Sequence, residues 1–198
     1  MAFLQSIILG STSFLLGLVF VCQIIDIPLL YHTHLTEASL ESAYAFYTMW
    51  YDAPKAVKAL LHTALGIPLL AIVSKLHGWS ESAVFFDGSC LVLHMASIVI
   101  YLTIHVPNLP VFVKSSNLSP DMPTYTEEEK QEAVRVLSAG NALVGFCLLG
   151  IILMQAGQEY AKRQEEAEMR KLDARTARAG ATAEGVVVGG DVQGKKDL

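Results

Sequence analysis

Three histidines, His62, His94 and His105, lie within or at the edge of long apolar stretches. An ionisable side chain is costly there and marks functional sites in membrane proteins. Imidazoles facing each other across helices ligate haem or metal ions. His94 and His105 are three helical turns apart, which puts them about 16 Å apart along one axis, too far to share an ion. A His62–His94 pair on two different helices is geometrically open, but His62 falls toward one end of its stretch and His94 toward the middle of another. His32 and His34 flank Thr33 with no cysteine or carboxylate at ligand spacing. Cys22, Cys90 and Cys147 form no CxxC pair and read as small apolar packing residues. No nucleophile elbow, phosphate loop or zinc-protease helix occurs. Asp26 and Asp87 fall near the ends of apolar stretches, where carboxylates are expected to reach water. The residues therefore assign no catalytic, cofactor-binding or metal site, and the chain reads as a non-enzyme.

The elements that carry these residues are apolar beyond the globular norm. Hydrophobic residues make up 53% of the chain, charged residues 17%, and mean hydropathy is +0.43. Four stretches are long enough to cross a bilayer, at roughly 4–25, 56–76, 82–106 and 134–155. The first lacks a basic leader and is too long for a signal peptide, so it reads as a retained span. The expected fold is all-α: a four-transmembrane-helix bundle over residues 1–157, with lumenal loops at 26–55 and 107–133. A cytosolic tail follows at 158–198, helical over about 158–179 and disordered over 180–198, where glycines accumulate. Basic residues crowd the start of this tail, which places both termini in the cytosol by the positive-inside rule. Glu159 with Arg163 and Glu166 with Arg170 are acid-then-base pairs at i,i+4. A net charge of -5 gives no reason to expect nucleic acid.

The loops are not empty. Leu40, Tyr44, Tyr47 and Tyr51 follow a helical period behind Thr36, a good N-cap. They specify a short aromatic helix, either at the headgroup level or packed as part of the loop. Thr126 followed by three glutamates reads as a helix start. Asn117-Leu-Ser119 is a glycosylation acceptor triplet with Pro120 directly after it.

The first span carries the sharpest pattern. Ser6, Gly10, Ser13 and Gly17 are spaced 4, 3 and 4, so they stack on one helix face. Apolar surface drives no association in lipid. Close backbone approach does, and small residues permit it. This face is a docking groove for a helix of this chain or of another protein. Ser138, Ala142 and Gly145 form a weaker version in the fourth span, with Asn141 inside it wanting a hydrogen-bond partner in the bundle or on a client. Lys195 and Lys196, three and four positions from the end, match a dilysine ER-retrieval signal on a cytosolic tail.

Thr12 to Phe20 (TSFLLGLVF), Phe46-Tyr47 through Asp52-Ala53-Pro54, Leu65-Gly66 followed by Lys75-Leu76, and Phe85 to Ser89 (FFDGS) occur in an order that resembles the fungal ER packaging chaperones for amino-acid permeases. The resemblance covers roughly residues 6–172. It implies four spans, a membrane domain that shields nascent permease helices, and a tail linked to the COPII coat that forms ER-exit vesicles. It also implies an ER-resident protein with no cofactor, whose partners are amino-acid permeases, coat proteins and the bilayer. Client contact then falls to Ser6, Gly10, Ser13 and Gly17, with Asn141 as a weaker choice, and retrieval to Lys195 and Lys196. The tail departs from the family pattern because its acids and bases nearly balance. The alternatives are a four-span haem or quinone oxidoreductase and a structural tetraspan protein.

Overall fold

The computed structural model describes residues 2–31, 36–77, 81–113 and 125–190, with side chains described over most of them. Its described elements are all helical: α1 (Ala2–Tyr31), α2 (Glu37–Tyr51), α3 (Lys55–Leu76), α4 (Glu81–Ile100), a π-helical turn (Tyr101–His105), α5 (Val106–Phe112) and α6 (Glu127–Gly190). Four segments are long and apolar enough to cross a membrane: Phe3–Tyr31, Lys55–Leu76, Val84–Phe112 and part of α6. This is the all-α, four-span architecture that the apolar stretches specify.

Local chemistry explains the boundaries. Thr36 Oγ1 accepts from the Ser39 amide and opens α2. Thr126 and Glu129 open α6 with a reciprocal capping box: the Thr126 amide donates to Glu129 Oε2 at 2.7 Å, and the Glu129 amide donates to Thr126 Oγ1. Pro54 precedes α3. The π turn precedes Pro107, which has no amide to donate to Thr103. The Val106 amide bonds back to the Tyr101 carbonyl instead, one residue wider than an α-helix.

The chain divides into two compact units, Met1–Ala156 and Gly157–Leu198. In the first, one hydrophobic cluster forms around Ile8, Leu15, Ile72, Cys90, Leu148 and Ile151. A second gathers where α2 and α5 meet the spans, around Leu29, Tyr44, Tyr47, Phe112, Val134 and Leu137. Tyr44 stacks on Phe112 with centroids 5.6 Å apart, and Tyr47 meets the same ring edge-on. The aromatic face of α2 is thus a core face, while Met49 on its opposite side is exposed.

α6 fits against its neighbours through glycine. A Cβ at Gly140 would stand 2.9 Å from Ile104 Cγ2 and 3.1 Å from His105 Cε1, and one at Gly145 would stand 3.3 Å from Val19. These are the close approaches that hold helices together in lipid.

In the second unit α6 continues to Gly190, so residues 180–190, expected to be disordered, are helical. Ala177, Ala179, Ala181 and Ala183 are strong helix formers, and extending an existing helix needs no new nucleus. Arg163 bonds Glu159 at 2.9 Å along this helix. Asn117 and the pair Lys195 and Lys196 lie outside the described residues.

Candidate functional site

The faces of α1 divide by residue size and polarity. Ile8, Thr12, Leu15, Asp26 and Leu29 are buried against the bundle. Ser6, Gly10, Ser13 and Gly17 are all exposed. They continue into Phe20, Ile24, Ile27 and Tyr31, also exposed, in unbroken steps of three and four. A Cβ at Gly10 or Gly17 would meet nothing within 4 Å. The structure therefore brings the four small residues into one open strip on the outside of the membrane domain. The upper half of the helix face is flat and the lower half is ridged with large apolar side chains.

Asn141 lies elsewhere, 5% exposed, at the centre of a polar cluster. Its Nδ2 donates to Asp26 Oδ2 and to the Tyr47 hydroxyl oxygen, both at 2.8 Å. Its Oδ1 accepts from His105 Nε2 at 2.7 Å, so that ring nitrogen carries a proton. Tyr47 and Ser138 donate to Asp26 Oδ1. Every polar atom of the Asn141 amide is thus engaged inside the bundle, and α1, α2, the π turn and α6 are tied at one level. Burial, then the Asp26 charge, hold the Tyr47 phenol above its ordinary range. A second cluster ties α3, α4 and α6 toward the other end of the spans. Lys75 Nζ donates to Asp87 Oδ1 at 2.7 Å and to Gln155 Oε1 at 3.1 Å, and Gln155 Nε2 donates to Asp87 Oδ1 and Cys90 Sγ.

These clusters correct the expectation that Asp26 and Asp87 reach water. Asp26 is 0% and Asp87 1% exposed. An unpaired charge in that position is prohibitive, and the donors around each carboxylate offset the cost. The signal was present in the spacing. Lys75 and Asp87 flank the α3–α4 turn at similar heights, and a four-span topology sets Asp26 level with Ser138 and Asn141 on an antiparallel helix.

The histidines are engaged by protein groups. His94 Nε2 lies 2.8 Å from the Leu65 carbonyl, and His62 Nε2 lies 3.2 Å from the Tyr101 hydroxyl. Among the described residues no group of three His, Cys, Asp or Glu side chains converges as a metal site. Cys22, Cys90 and Cys147 are free thiols.

An open strip of small residues on a bundle tied by two buried polar clusters offers one kind of chemistry: provisional van der Waals contact with another apolar helix. Comparison with known proteins points the same way. Residues 1–186 match the SHR3_chaperone family, described as ER membrane protein SH3. The chain is also 26% identical over 185 residues to the secretory component protein psh3 of Schizosaccharomyces pombe, covering 86% of this chain and 82% of that protein. No solved structure matches it.

Proposed function

The chain belongs to the SHR3 chaperone family and is an ER membrane chaperone for permease packaging; from that premise we propose how its surfaces divide the work. The clients are amino-acid permeases. Their unfinished bundles expose polar or broken helices before the proper partners arrive. The strip Ser6, Gly10, Ser13 and Gly17 receives one such helix. The observation that carries this reading is the empty space over Gly10 and Gly17 on an α1 whose opposite face buries Ile8, Thr12, Leu15, Asp26 and Leu29. Small residues let a client backbone approach closely, and the absence of an apolar driving force in lipid keeps the contact reversible.

The two buried polar clusters serve the chaperone rather than the client. They hold the four spans in one arrangement, so that α1 presents a fixed surface. Asn141 belongs to this framework, and its amide has no free valence for a client. Both termini are cytosolic. The tail helix carries contact with the vesicle coat, and Lys195 and Lys196 return molecules that escape the ER.

Deletion of the gene in its own cells tests the assignment. Several plasma-membrane transporters are tagged and followed by microscopy and glycan maturation. Amino-acid permeases are expected to stay in the ER while unrelated transporters reach the surface. Normal delivery of all of them defeats the reading, and retention of all of them defeats its restriction to amino-acid permeases.

A further inference from the structure

The four spans and α2 line a cavity of about 340 Å³ that none of the described residues fills. Its walls are mostly apolar, with Leu15, Leu65, Val144 and Leu148 among them. The deeper Ser97 hydroxyl is turned onto the Leu93 carbonyl, and most polar groups of the lining sit toward the α2 end. There the cavity opens past exposed Val57 and Lys58 on α3 and exposed Val106 on α5. Trp50 lines this end, and its indole Nε1 is buried without a hydrogen-bond partner. The Lys58 ammonium stands over the Tyr51 ring at the mouth, 5.3 Å from its centroid.

We propose that this cavity is a lipid site: one acyl chain of an anionic phospholipid enters between α3 and the π turn, and its headgroup phosphate rests against Lys58 and Trp50. The volume fits a single chain, being near the lower end of the ~300–1,000 Å³ range of ligand pockets. It is too small for a client helix, since one turn about 10 Å wide and 5.4 Å tall already exceeds it. The polarity has the order a phospholipid requires, apolar depth and then a hydrogen-bond donor and a cation at the rim. A dry, unfilled void would forfeit dispersion contacts on every wall, and lipid is the apolar species at hand throughout the membrane. The buried indole N–H finds in a phosphate or ester oxygen the acceptor that none of the described residues supplies. The π turn, which widens the helix beside the opening, is a common device at functional sites.

Photolabelling of the full-length protein tests this. It is reconstituted in phosphatidylcholine vesicles containing a phosphatidylserine with a diazirine on one acyl chain, irradiated and mapped by peptide. Adducts are expected on Leu65 inside the cavity as well as on outward-facing Leu143 and Leu153, which meet bulk lipid. Filling the cavity by Val144→Trp is expected to abolish the Leu65 adducts and leave those at Leu143 unchanged. Leu65→Phe, a gentler filling, is expected to lower adducts on neighbouring Leu148 without disturbing the fold. Lys58→Glu is expected to lower cavity labelling by the serine lipid about fivefold or more, and labelling by a neutral diazirine phosphatidylcholine little. Adducts confined to outward residues, or cavity adducts indifferent to both fillings, overturn the site. Equal loss of both probes in Lys58→Glu overturns the headgroup assignment.

Discussion

Gly17 and Gly140 are both glycines in spanning helices, and the structure assigns them opposite consequences. Placing a methyl at Gly140 drives it to 2.9 Å from Ile104 Cγ2 and 3.1 Å from the His105 ring. Overpacking of this kind costs about 1–3 kcal/mol. His105 also donates to Asn141 Oδ1, and losing a hydrogen bond between membrane helices costs roughly 0.6–1.7 kcal/mol more. Gly140→Ala is therefore expected to destabilise the bundle by about 2–5 kcal/mol, or roughly 30- to 5,000-fold in its unfolding equilibrium. At Gly17 even leucine enters open space. Gly17→Leu removes a flexible backbone position from a helix and is expected to change stability by less than about 0.5 kcal/mol. The assay is titration of purified protein from mild detergent into a denaturing one, followed by circular dichroism and protease resistance, beside crosslinking of each variant to a permease in microsomes. Gly140→Ala is expected to shift the unfolding midpoint strongly. Gly17→Leu is expected to leave it in place while reducing permease crosslinks. Equal destabilisation by the two variants refutes the reasoning, because it means the α1 strip is packed inside the protein.

Lys75→Met is expected to cost about 3–5 kcal/mol by leaving Asp87 buried without its cation, and Lys75→Met with Asp87→Leu is expected to recover most of it; detergent unfolding of the two variants checks this. Tyr47 gives a pH test. Its folded phenol is held above the ordinary range, so its contribution to stability is complete below the unfolded value of about 10 and is lost as pH rises beyond it. Ultraviolet titration is expected to show that phenol ionising only as the protein unfolds, and Tyr47→Phe is expected to remove that step. Lys195→Ser with Lys196→Ser is expected to let the chaperone appear in post-ER fractions with its clients still delivered; unchanged ER residence removes the retrieval role.

Much of the fold is legible in the chain because a span needs only length and apolarity, and helix starts such as Thr36 and Thr126 announce themselves through caps. The face of α1 was half legible. Spacing places Ser6, Gly10, Ser13 and Gly17 together, but α1 is apolar on all sides. In lipid, apolarity does not separate inside from outside. Thr12 is buried and Ser13 beside it is exposed, a difference no hydropathy pattern carries. Asp26 and Asp87 were misplaced for a related reason. Their nearness to span ends is a sequence property, whereas their burial depends on Tyr47, Ser138 and Lys75, which arrive from other helices. Helix over 180–190 was obscured by its four glycines, of which Gly180 lies between two alanines and the others follow in a helix already under way.

The most direct measurement places a photoreactive residue at position 17 of α1, and separately at buried Leu148 inside the bundle, in ER membranes that are synthesising an amino-acid permease. Adducts between position 17 and permease spans, with position 148 yielding only crosslinks within the chaperone, are the predicted result. Permease adducts absent from position 17, or as frequent from position 148, contradict the account.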